Sequence, residues 1–175
     1  MKIGLVLLSI FSFLMLSCGE GESQSQTINT EVENQQTPIT AKAIENFNYS
    51  DYALSSEAEE AIVSWKKYQE LAIQIGYLKK ADLSFFNGDQ KLLKKFIDEF
   101  KAQIPVELRT NPITSRTIII ETTLLRLNEN LTLDNIDSNL KLESVKEVLV
   151  AFSNLNYQIN KKLVRDRNEK IMPQY

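Results

Sequence analysis

The chain has 175 residues, 43% of them hydrophobic and 25% charged, with a formal charge of −3. These values suit one globular domain and exclude a strongly basic surface for nucleic acid. There is no histidine and one cysteine, Cys18. That removes Ser-His-Asp and Cys-His pairs, the Glu-x-x-His ligands of di-metal bundles and any intrachain disulfide. No P-loop and no G-x-G-x-x-G pattern occurs. Five glycines and four prolines are few for a many-turned β fold, so the composition leans helical.

Residues 1–17, MKIGLVLLSIFSFLMLS, begin with a short positive region at Lys2. A nearly continuous apolar run follows from Ile3 to Leu16. Its length suits the apolar core of a signal peptide and falls short of a bilayer span of about 20 residues. Met15-Leu16-Ser17-Cys18 then resembles the lipobox, the recognition site of the lipoprotein signal peptidase, with Met15 where leucine is usual. The resemblance covers these four residues and the apolar run before them. It implies cleavage before Cys18, a diacylglycerol on the Cys18 sulfur and an acyl chain on the new amino group. Lipidation at Cys18 is the one site assignment the sequence makes. Each buried methylene contributes about 0.8 kcal/mol, so several acyl chains hold a protein durably on a membrane.

Gly19 to Ile39 is rich in Ser, Gln, Asn, Thr and Glu, with Glu20, Glu22, Glu31 and Glu33 unopposed by any Lys or Arg. Such a segment buries too little apolar surface to offset its ordering entropy. The reading is a flexible tether over 18–54, with a root-mean-square reach of roughly 30 Å, and a folded domain over 55–175. Within the tether, Ala41 to Leu54 carries Ile44, Phe47, Tyr49, Tyr52 and Leu54. This stretch is expected to form a short helix or extended arm against the domain, with an aromatic hook for a partner as the alternative. The acids just after Cys18 resemble a surface-export signal of some Gram-negative groups. The position after Cys18 is not Asp, so the inner-membrane retention pattern of enteric bacteria is absent. The expected place is the outer membrane, on its periplasmic face or at the cell surface.

Four helical segments follow. The first is expected from Ser56, with Ser56 and Glu59 as a capping box, to about Lys80. Its apolar face is Ala58, Ala61, Ile62, Trp65, Tyr68, Ala72, Ile75 and Leu78. Asn87-Gly88 marks a turn, and Asp89 caps a second helix with Leu92, Leu93, Phe96, Ile97, Phe100 and Ile104 inward, ended by Pro105. Asn111 caps a third, with Pro112 in its first turn and Ile113, Thr117, Ile120, Leu124, Leu127 and Leu131 inward. A strand at 117–123 is the alternative there, from its β-branched run. After a connector at 132–139, Asp137 or Ser138 caps a last helix to about Arg167. Its stripe is Leu142, Val145, Val148, Leu149, Phe152, Leu155, Ile159 and Leu163. The expected fold is all-α, an antiparallel four-helix bundle whose first and last helices are the longest. Asn156, Lys162 and Asp166 interrupt a strict heptad, which argues against the last helix as a dimer seam.

Glu121, between Arg116 and Arg126, reads as a flank ion pair at the core edge. Glu143 and Glu147 read as a solvated face. Lys94-Lys95, Lys161-Lys162, Arg165, Arg167 and Lys170 form either a basic end or ordinary solvation. No catalytic residue, metal site or cofactor is expected. The expected function is a lipid-anchored envelope module that binds another envelope protein without catalysis. The alternatives are a carrier of a small apolar ligand, needing a cavity near Trp65, Phe96, Phe100, Ile120 and Phe152, and an enzyme using carboxylates alone.

Overall fold

The computed structural model describes residues 39–171, and the secondary structure within them is helical. The elements are α1 (Ala41–Glu45), α2 (Ser56–Ala61), α3 (Lys66–Leu78), α4 (Gln90–Ala102), a 3-10 turn (Val106–Leu108), α5 (Asn111–Thr132) and α6 (Ser138–Ile171). The all-α expectation holds, and α5 runs unbroken through the β-branched stretch at 117–123. The leader, Cys18 and the tether up to Pro38 lie outside the described residues.

The expected helix from Ser56 to Lys80 is two helices. Ser55, not Ser56, caps α2, its hydroxyl accepting from the Ala58 amide, so the capping box with Glu59 does not form. Helix α2 stops at Ala61, and Trp65 takes a non-helical backbone before α3 begins. The cause is tertiary. The Trp65 indole N–H donates to the Phe100 carbonyl at 2.8 Å, and the indole stacks on the Phe100 ring at 4.9 Å. That carbonyl lies in the last turn of α4, where no helical N–H remains to meet it. Side chains satisfy the break itself. Gln69 Nε2 donates to the Val63 carbonyl at 2.8 Å, and Gln103 Oε1 accepts from the Lys67 amide at 3.0 Å.

The remaining helices start and stop for local reasons. Asp89 caps α4 as expected, accepting from the Lys91 amide at 2.6 Å. Helix α4 ends before Pro105, and Arg109 Nη2 donates to the carbonyls of Ala102 and Ile104. Thr110, not Asn111, occupies the N-cap of α5, and its hydroxyl is buried without a partner. Asp137 opens α6, its carboxylate accepting from the Asn139 amide at 2.7 Å. The two longest helices are α5 with 22 residues and α6 with 34, rather than the first and last of four. At ~1.5 Å per residue α6 is about 51 Å long.

The long helices run antiparallel to one another, because paired residue numbers rise on one as they fall on the other, as between α4 and α5, α5 and α6, and α3 and α6. Arg126 meets Glu147 and Asn130 meets Ser144 between α5 and α6. Lys101 meets Glu121, while Asn128 reaches back to Phe86 and Gly88 ahead of α4. Tyr68 of α3 stacks on Phe152 of α6 at 5.3 Å, and Glu57 of α2 pairs with Arg167 further along α6. The core between them holds the expected stripes with local changes. Leu71 is buried, whereas Ala72 is only partly so. Leu92 is 69% exposed, although it was expected to face inward. Asn128, 1% exposed, belongs to the core, where its amide holds the carbonyls of Phe86 and Gly88 at 2.8 and 2.9 Å.

The folded unit also begins earlier than residue 55. Ile44 of α1 is buried, and Ile39, Phe47, Tyr49 and Leu54 pack partly against the core. The domain boundary at Leu54 is therefore corrected: the arm reading of 41–54 describes the structure, and residues 39–54 belong to the folded unit.

Helix α3 ends with the Asp82 amide donating to the Tyr77 carbonyl and the Ala81 amide to the Leu78 carbonyl, a Schellman closure. It places Ala81 at φ 65°, in the left-handed region. A side chain there costs about 1 kcal/mol that glycine does not incur. Ala81→Gly is therefore expected to stabilise the domain by about 1 kcal/mol, measured as a rise in the urea midpoint at unchanged slope.

Candidate functional site

The most specific polar geometry among the described residues lies on α6, where three side chains read the backbone of the arm. Ser153, Asn156 and Asn160 follow one another at spacings of three and four, which aligns them along one face of a helix. The Tyr52 amide donates to Ser153 Oγ at 2.8 Å, and that hydroxyl donates onward to the Ser50 carbonyl at 2.5 Å. Asn156 Nδ2 donates to the Tyr52 carbonyl at 2.9 Å. Asn160 uses both ends of its amide, donating to the Ala53 carbonyl at 2.8 Å and accepting from the Ser55 amide at 2.9 Å. The arm thus runs parallel to α6 over this stretch. Its chain then turns at α2 and returns as α3.

One further bond ties this clasp to the core. The Tyr68 hydroxyl donates to Asn156 Oδ1 at 2.7 Å. Asn156, 7% exposed, is therefore satisfied on both sides of its amide. Burial holds the Tyr68 phenol well above its ordinary pKa, and the charge of Glu59 adds in the same direction. Beside the clasp, the Tyr52 and Tyr157 rings meet at 4.8 Å, and Lys161 Nζ stands 5.4 Å from the centre of the Tyr157 ring. The arm is further held by the Lys79–Asp51 ion pair at 2.5 Å.

A second feature is an open groove of about 410 Å³ between α3, α4 and the 81–89 loop. Phe85, Leu92, Leu93 and Phe96 give it apolar walls, and Lys67, Glu70 and Glu99 stand at its edge. Lys67 Nζ pairs with Glu70 at 2.7 Å and Glu99 at 3.2 Å, 4.9 Å from the Phe96 ring centre. The hydrogen bond that the ammonium donates to Glu70, helped by Glu99, raises its pKa above the ordinary value.

The residues singled out from sequence are dispersed. Glu121 pairs with Lys101 at 2.8 Å, not with either arginine. Arg126 instead crosses to Glu147 at 2.7 Å, so Glu147 is not simply solvated. Three of the five bases near the end of α6 are tied to acids: Lys162 to Asp166, Arg165 to Glu169 and Arg167 to Glu57. Trp65 is fully buried in the core, as the apolar stripe implied. Among the described residues, no three potential ligands of the His, Cys, Asp and Glu types converge on a metal position. No helix among them is long and apolar enough to cross a membrane. Cys18 lies outside the described residues. Sequence reasoning missed the clasp. Its signal was the polar set Ser153, Asn156 and Asn160 at helical spacing beside the apolar stripe, of which only Asn156 was noticed, as a break in the heptad.

No family model matches the chain, and no curated protein or solved structure shows significant similarity to it.

Two measurements follow from the clasp. Asn156→Leu strands the Tyr68 hydroxyl and the Tyr52 carbonyl, and is expected to cost about 1–3 kcal/mol. The double variant with Tyr68→Phe should lose less than the sum of the two single losses, since the phenol no longer lacks a partner. Urea unfolding of the four-member cycle checks this.

The second concerns alkaline pH. A phenol with a raised folded-state pKa keeps its full contribution below the unfolded value of about 10 and loses it as pH rises above that. The urea midpoint should fall from about pH 9 to about pH 11, and Tyr68→Phe should fall less steeply.

Proposed function

We propose that the protein is a lipid-anchored envelope module whose helical domain binds another envelope protein and carries out no catalysis. The observation that carries the anchor is Met15-Leu16-Ser17-Cys18 at the end of a 17-residue leader of signal-peptide character. The lone cysteine is thereby assigned to lipid. Because residues 39–54 belong to the folded unit, the connection between lipid and domain is limited to the stretch from Gly19 to Pro38. The outer membrane is the proposed site of attachment.

The non-catalytic reading is supported by the absence of histidine from the whole sequence. It is also supported by the engagement of Glu70, Glu99, Glu121 and Glu147 with cationic partners. The carrier reading is less well supported. Trp65, Phe96, Phe100, Ile120 and Phe152 are all buried, and Trp65 and Phe100 stack on one another at 4.9 Å.

Cys18→Ser tests the anchor. The variant is expected to leave the membrane fraction of fractionated cells and to lose incorporation of radiolabelled palmitate, while the domain keeps its helical circular dichroism. A variant that still sediments with membranes would show that lipid on Cys18 is not what holds the protein.

A further inference from the structure

The contacts along α6 have an unusual character. Ser153, Asn156 and Asn160 bind five backbone atoms of the arm: the Ser50 carbonyl, both polar atoms of Tyr52, the Ala53 carbonyl and the Ser55 amide. Backbone atoms are common to every polypeptide, so these bonds demand an extended conformation rather than a particular sequence. The one ring-on-ring contact beside them, Tyr52 on Tyr157, adds a preference for an aromatic residue at the central position. This is how receptor surfaces hold an extended peptide: the main chain gives affinity and one or two side chains give selectivity.

The arm is also weakly committed to the core. From Ile39 to Ser55, Ile44 is the only buried residue. Both Asn160 bonds are exposed to solvent, and Tyr52 is 39% exposed. By contrast, α6 buries ten residues and α5 seven. Segments with few buried apolar contacts and solvent-exposed hydrogen bonds open locally, well before the domain unfolds.

We propose that α6 carries a receptor site for an extended polypeptide, formed by Ser153, Asn156, Tyr157 and Asn160 with the Tyr68 hydroxyl behind Asn156. The arm is its resident self-ligand: a releasable strap that another extended chain displaces. This gives the interaction-module reading a ligand class. It does not depend on the lipid, so the fate of Cys18→Ser and the fate of this proposal are decided separately.

Hydrogen exchange of the purified full chain is the first test. The Tyr52 and Ser55 amides should exchange at least about tenfold faster than the protected amides at the centre of α5, as expected for local opening. Ser153→Ala with Asn160→Ala should speed the arm amides about tenfold more without altering those of α5. Arm amides that exchange in step with α5, in wild type and variant alike, would overturn the strap.

The second test uses a fluorescein-labelled peptide of residues 46–56 and an Ile44→Asp chain, which loosens the arm without touching the receptor residues. The variant should bind the peptide saturably, at least about tenfold more tightly than wild type. Methylating the peptide at the Tyr52 and Ser55 nitrogens should abolish binding. Absence of binding to a folded Ile44→Asp chain overturns the receptor. Loss of helical circular dichroism in that variant also overturns the proposal, because the arm would then be inseparable from the core.

Discussion

The organisation of the described chain depends on one hydrogen bond, from the Trp65 indole to the Phe100 carbonyl. It meets, in the buried interior, an acceptor that α4 leaves unpaired at its own C-terminus. The bulk of the indole then stacks on the Phe100 ring. Satisfying this contact costs the helix its continuity between Ala61 and Lys66. The restart at Lys66 in turn sets which face α3 shows to α6. Tyr68, three residues on, therefore meets Phe152 and Asn156.

From there the consequences reach the arm. Asn156 is held by Tyr68 on one side and holds the Tyr52 carbonyl on the other. A residue that breaks the heptad of α6 is thus what joins the interior to a segment outside the helices. The clasp links three stretches remote in sequence: the arm, α3 and the second half of α6. Each amide in it is paired. That pairing makes buried polar groups tolerable so near the apolar core and leaves little freedom in their placement.

Polar side chains repeat this role elsewhere. Asn128 ties the 81–89 loop to α5, and Gln69 and Gln103 close the gap between α2 and α3. In each case an amide side chain takes up backbone groups that a helix end or a loop leaves unpaired. The apolar stripes bring the helices together, and these amides fix how the loops and the arm lie against them.

Much of this was legible in the residues. The 3.6-residue spacing of apolar groups from Ile113 to Leu127 and from Val145 to Ile159 gave helices of the right place and face, because burial of one stripe is a local property of the pattern. Asp89 and Asp137 announced helix starts by the same local logic. The resemblance at Cys18 is likewise written in adjacent residues. What the tertiary structure decided lies where a group finds its partner far along the chain. The stripe from Ala58 to Leu78 reads as one helix, and only the distant carbonyl of Phe100 divides it. Leu92 fits its stripe by spacing, yet it stands exposed on the wall of the open groove beside Phe85 and Phe96. Ile44, Phe47, Tyr49, Tyr52 and Leu54 pointed to an arm against the domain, but groups so sparse do not say where on the domain it lies. Its order comes from Ser153, Asn156 and Asn160, about a hundred residues away, and hydrogen bonds across that separation leave no periodic mark in a sequence.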